Sequence, residues 1–162
     1  MAEVLDVQQM MADTFEPKRK FRWVIAINGI DAFTAKVTAR PQITFDETVI
    51  DYMNVKRYLS GKGTWQPMPL TLYDPIVPSA AQKVTEWIRL NFENVTGRMG
   101  YAQFYKKTIN LKLLDGVGAV VEDWELQGVW IQDANYGDLD YAVSDPTEIA
   151  LTLRYDQAIL LY

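Results

Sequence analysis

The chain contains neither cysteine nor histidine in its 162 residues. Without thiols there are no disulfides, no thiolate metal sites and no cysteine nucleophile. Without imidazole the chain lacks the usual general base near neutral pH, the commonest metal ligand and the usual pH switch. Serine is scarce too, and Ser60, Ser79 and Ser144 have no histidine to activate them. No apolar run approaches the roughly 20 residues of a membrane-spanning helix. The opening MAEVLDVQQMMADTFEPKRK shows no basic leader followed by an apolar core, so a secretory signal is not expected. The Asn94-Val95-Thr96 sequon then carries no expectation of glycosylation. These absences together predict a soluble, non-enzymatic protein made in a cytoplasm, with no cofactor, no metal and no membrane partner.

Hydrophobic residues make up 49% of the chain and charged residues 23%, the balance of a single folded domain with a buried core. The net charge is −5, but its placement says more than its sum. Fifteen of the sixteen basic residues lie between Lys18 and Lys112, including the cluster Lys18, Arg19, Lys20 and Arg22. From Glu122 to Asp156 nine carboxylates face Arg154 alone. Two solvated faces of opposite sign would satisfy this pattern. So would a protein whose surfaces attract copies of themselves head to tail, the arrangement that generates rings and filaments.

Strand patterns dominate. Phe21, Trp23, Ile25 and Ile27 alternate onto one face, and Asn28-Gly29 suits a tight hairpin turn leading into a returning strand over Ala32–Ala39. Ile43–Leu59 is rich in β-branched and aromatic residues without single-face alternation, as in an extended arm that meets different neighbours along its length. In Trp65–Tyr73, Pro67 and Pro69 remove ladder donors and predict an edge strand or a bulge. Later segments alternate well: Tyr105, Ile109, Leu111 and Leu113; then Trp124, Leu126 and Trp130; then Ile149, Leu151, Leu153, Tyr155 and Ile159. One helix is predicted over 79–92, with Ser79 and Gln82 spaced as a capping box and Ala81, Val84, Trp87 and Ile88 on one face. The fold class is mainly β, an antiparallel β-barrel or sandwich with one flanking helix, in a single domain over 1–162 with an N-terminal arm at 1–19 and an extended arm at 43–61.

The candidate chemistries are weak. Ser60-Gly61-Lys62-Gly63-Thr64 has the look of a phosphate loop, but Lys56 stands where the first glycine belongs and Trp65 opens a strand instead of a helix, so a flexible turn is expected. Asp138, Asp140, Asp145 and Glu148 could crowd a calcium ion, yet Asn/Asp/Gly clusters more often turn the chain. Asp123 and Glu125 share a strand face but have no nucleophile nearby, and read as ionised surface carboxylates. Phe21 and Trp23 beside the basic cluster read as core, not as a platform for stacking nucleic-acid bases.

Two stretches carry a family resemblance. Asp51–Asp74, DYMNVKRYLSGKGTWQPMPLTLYD, reads as a strand with Tyr52, Asn54 and Tyr58, a Gly-Lys-Gly turn and a second strand opening at Trp65. Gly128–Ala158, GVWIQDANYGDLDYAVSDPTEIALTLRYDQA, reads as a strand, an Asn/Gly/Asp loop and a long final strand. This combination resembles the tail tube proteins of contractile-tailed bacteriophages, over roughly Lys20–Leu161. The resemblance implies a virion protein assembled in the host cytoplasm, with six copies in a ring. Rings stack into a hollow inner tail tube that conducts DNA on ejection without reading its sequence. It also implies partners: sheath, baseplate hub, tape-measure and tail-terminator proteins. The arm is then expected to make inter-subunit contacts through Asp51, Tyr52, Asn54, Lys56 and Tyr58. Because a basic lining would bind DNA, the bore is expected to be acidic or neutral, with Asp123, Glu125 and Gln127 facing the lumen. The alternatives are the tube of a capsid-less injection machine, such as a type VI secretion system or tailocin, and a monomeric β-barrel binding module.

Overall fold

The alternating segments build one curled antiparallel sheet, and the unpatterned segment builds a separate arm. The computed structural model describes residues 10, 11 and 14–162, so part of the expected N-terminal arm lies outside the described residues. The strands are Trp23–Ala26 (β1), Ala35–Thr38 (β2), Ile43–Tyr52 (β3), Val55–Trp65 (β4), Met68–Tyr73 (β5), Lys107–Leu114 (β6), Val120–Asn135 (β7), Glu148–Arg154 (β8) and Gln157–Leu160 (β9). The helices are Ala80–Asn91 (α1) and Ala102–Tyr105 (α2), with a 3-10 turn at Ala32–Thr34.

The main sheet runs in the order β1-β6-β7-β8-β5-β2, with β9 also paired to β7. Its inner face carries the predicted alternation: Ile25, Leu70, Leu72, Ile109, Leu111, Leu126, Ile149, Leu151 and Leu153 are all buried in one cluster. Val84 and Trp87 of α1 join that cluster, and the Trp87 indole donates to the Tyr105 carbonyl at 2.7 Å. Burying side chains of this size removes roughly 1.5–3 kcal/mol of unfavourable hydration each. The Ser79 hydroxyl caps α1 by accepting from the Gln82 amide at 3.4 Å, and Asp74 adds a second acceptor for the Ala81 amide at 3.2 Å.

The sheet departs from the expected hairpin. Asn28-Gly29 does make a tight turn, with Gly29 at φ +92° and Ile27 bridged to Ile30. The two arms of that turn then part: β1 pairs with β6 and β2 with β5, at opposite edges of the sheet. The barrel is therefore open along a seam, where residues of β1 and β2 line the same clefts. Phe21, expected in the core, lies outside β1 and is 73% exposed, with the Arg22 guanidinium over its ring.

Pro69 also sits differently from the expectation. β5 is an interior strand between β8 and β2, not an edge. The β2 ladder reaches only Thr38 opposite Leu70, so Pro69 stands just past its end, where the missing donor costs little.

On β7 the predicted face changes at a bulge. Ile109 pairs with Leu126 but Lys107 with Val129, which puts one extra β7 residue at Gln127–Gly128. Val129 is fully buried in place of the expected Trp130. A break at Tyr155-Asp156, opposite the Gly128 bulge and with the register on β7 unchanged across it, divides the expected single final strand into β8 and β9. After it Ala158 points inward and Ile159 is exposed, against the expectation for Ile159. Tyr105 belongs to α2, not to the β6 alternation.

Candidate assembly interface

β3 and β4 pair only with each other. Every residue from Ile43 to Thr64 is exposed, including Phe45, Val49, Ile50, Tyr52, Val55, Tyr58 and Leu59. An isolated two-stranded hairpin is marginal in water, and a contiguous exposed apolar surface marks an interaction site. The expected arm is thus a β-hairpin ladder.

Its turn lies elsewhere than expected. Ser60–Thr64 runs inside β4, and the chain reverses at Met53-Asn54, with Met53 in the left-handed region at φ +47°. Gly61 and Gly63 serve close packing instead of a turn: a Cβ on Gly61 would lie 3.0 Å from the Asp46 carbonyl oxygen. That contact sits at the bulge where Phe45 faces Gly63 but Glu47 faces Ser60.

The expected interface residues collect at the tip. Asp51 stands directly opposite Lys56, and Tyr52 opposite Val55. Tyr58 pairs with Val49 two rungs further in than Asp51, and Asn54 is in the turn itself. Side chains alternate across the ladder, so Asp51, Lys56, Val49 and Tyr58 share one face. Tyr52, Val55, Ile50 and Arg57 share the other, with the Arg57 guanidinium 6.0 Å from the Tyr52 ring. At the base, the Gln66 amide donates to the Gln42 carbonyl at 2.8 Å and Trp65 packs 6.0 Å from the Tyr155 ring. Burial pushes the Tyr155 phenol above its ordinary pKa.

The second expected group lies on the outer face of β6 and β7. Asp123 is buried to 7% exposure, not an open surface carboxylate. It stands opposite Lys112, whose Nζ is 3.9 Å from Asp123 Oδ2, and accepts from Asn110 Nδ2 at 3.3 Å. Glu125 accepts from Gln127 at 2.7 Å, and Gln127 accepts from Gln157 at 2.5 Å. The face carries a cation among its acids, and its net negative charge rests mainly on Glu125.

Sequence reasoning passed over Glu122. This carboxylate is 5% exposed on the inward face of β7, beside the seam. Lys18 Nζ donates to it at 2.5 Å, Trp124 Nε1 at 2.5 Å, and Arg40 stands 3.6 Å away. Burial alone would raise its pKa, but the hydrogen bonds from Lys18 and Trp124 and the charges of Lys18 and Arg40 outweigh burial and hold it below the ordinary carboxylate value. The group ties the segment before β1 and the linker after β2 to β7. The only signal in the sequence was even spacing with Trp124 and Leu126.

Among the described residues no group of three acidic side chains converges to hold a metal ion. Asp140 accepts from the Ala142 amide at 2.9 Å and Asn135 from the Gly137 amide at 2.9 Å, the turn-forming role weighed above for this cluster.

No family model matches the chain. It is similar to the tail tube protein of Serratia phage KSP90, at 22% identity over 173 residues, covering 98% of this chain and 97% of that protein. Its fold matches a chain in the 6-fold symmetrised baseplate of the anti-feeding prophage, with a TM-score of 0.71 and 15% identity over 91% of this chain and 97% of that one. It also matches a chain in the extended sheath–tube complex of an extracellular contractile injection system, with a TM-score of 0.67 and 17% identity over 97% of this chain and 98% of that one. The fold is that of contractile-tail tube subunits. The mainly antiparallel sheet and its one principal helix match that fold.

Proposed function

We propose that this chain is a structural subunit of the inner tail tube of a contractile-tailed phage. Copies join side by side into rings of six, and rings stack into a conduit for DNA. The observation that carries this is an apolar-rich β3–β4 arm, exposed from Ile43 to Thr64, on a chain similar from end to end to a phage tail tube protein. A hairpin of that composition gains stability only when a neighbour covers it. The open edges of β1 and β2 make the same demand, because an unpaired strand edge is a template for another chain. Asp51, Tyr52, Asn54, Lys56 and Tyr58 then contact neighbouring subunits, and Asp123, Glu125 and Gln127 face the bore.

The tube lies within a sheath, starts on a baseplate hub, is measured by a tape-measure protein and ends at a terminator. A phage tail is favoured over a capsid-less machine by the sequence similarity to a phage protein. Light scattering of purified protein over a wide range of concentration and salt tests the reading. Masses that climb through a ring to larger stacks support it, and a monomer at every condition contradicts it.

A further inference from the structure

The two ends of β7 carry opposite charge. Beside its first residues the seam between β1 and β2 opens into a cleft of about 350 Å³, lined by Lys18, Arg19, Lys20 and Arg40 around Trp23 and Leu113. Lys18 and Arg40 are engaged with the buried Glu122. Arg19 reaches only the exposed Glu16, at 3.8 Å, and Lys20 makes no ion pair among the described residues. The cleft therefore keeps a positive rim around an apolar floor.

Beyond its last residues β7 runs into the loop 136–147. This loop holds Asp138, Asp140 and Asp145 beside exposed Leu139, Tyr141 and Val143. Its neighbour Glu148 is already engaged by Lys36. Loop and cleft lie toward opposite ends of β2: Glu148, where the loop ends, meets Lys36, and the cleft opens past Thr38 at Arg40.

We propose that the seam cleft of one copy receives the acidic loop 136–147 of a copy in the next ring. The inference rests on the tube reading. It assigns Arg19 and Lys20 to meet the carboxylates of Asp138, Asp140 and Asp145, while Leu139 and Tyr141 cover the apolar floor at Trp23 and Leu113. Apolar contact at the centre with charge at the rim is the usual anatomy of a specific interface. The contact joins unlike surfaces, so it propagates as an open stack instead of closing on itself. Cleft against cleft or loop against loop brings like charges together, which fixes the polarity of the stack.

Charge reversal tests this. R19E/K20E alters the rim without touching the Glu122 cluster, and D138K/D140K alters the loop. Each variant alone is expected to form rings but to need about tenfold or more protein to grow tubes at low salt. The quadruple variant, and an equal mixture of the two double variants, should both recover tubes, because each interface again meets opposite charge. Double variants that polymerise like the wild type would overturn the inference and leave the tube reading standing. Loss of the rings themselves would also overturn it, by placing these charges within a ring. Wild-type protein that gives neither rings nor tubes would overturn the tube reading and this inference with it.

Discussion

Gly128 on β7 and Asp156 between β8 and β9 lie so close that a Cβ on Gly128 would stand 2.1 Å from Asp156 Oδ2. Gly128 is also at φ +67°, where side chains other than glycine are strained. The Asp156 amide donates to the Gln127 carbonyl at 3.0 Å, and its carboxylate receives Lys106 Nζ at 2.9 Å. This is the point where β9 takes over from β8 along β7. Gly128→Ala is predicted to cost about 1–2 kcal/mol for the left-handed backbone alone, and more as Asp156 swings off Lys106. Lys106→Ala removes a partly exposed ion pair and should cost below about 1 kcal/mol. Urea unfolding checks the ranking, and a Gly128→Ala midpoint no lower than that of Lys106→Ala would contradict it.

The Glu122 cluster predicts an acid-sensitive seam. Its carboxylate is held below the ordinary value in the folded chain. Its stabilising contribution is therefore complete above the unfolded pKa and is lost as pH falls through the folded one. Glu122→Gln should lower stability at neutral pH and flatten the loss of stability in acid. Melting temperatures across pH 3–7 check this, and parallel profiles for the two proteins would refute it.

The arm makes a separate prediction. Tyr52 and Tyr58 are 59% and 63% exposed and lie outside the core. The double substitution Y52S/Y58S should block polymerisation while leaving the far-UV spectrum and melting of the subunit close to wild type. A double variant that unfolds would show that these tyrosines hold the subunit itself together.

The bore assignment is testable through charge. Lys112 already offsets Asp123, so Glu125 dominates the outer face of β7. If that face lines the lumen, E125K/Q127K tubes should retain DNA that wild-type tubes release, with the retention falling steeply as salt rises. Assembled variant tubes that hold no more DNA than the wild type would place another face in the bore.

What the sequence revealed followed period and punctuation. Ile149, Leu151 and Leu153, or Ile109 and Leu111, alternate without interruption, and the core formed where they pointed. Ser79 marked the start of α1 to the residue. What stayed hidden depends on long-range pairing. Asn28-Gly29 is a sound local turn, yet nothing local tells β1 to leave β2 for β6. The bulge at Gly128 turns Val129 and Ile131 to the core face until a second bulge between Ile131 and Asp133 restores the pattern at Ala134, and one glycine does not announce which strand it will meet. Gly61 and Gly63 resembled a turn because glycine serves close packing and chain reversal equally well. At the candidate interface, Tyr52 and Tyr58 were legible as unpatterned aromatics, whereas Glu122 was not, because its partners Lys18 and Arg40 come from distant segments.

A subunit that builds a hollow tube gives, in electron micrographs of the purified, concentrated protein, rings of six with an open centre alongside rods whose cross-section is the same ring. Uniform single particles of subunit size, with no rings at any concentration, would contradict this assembly.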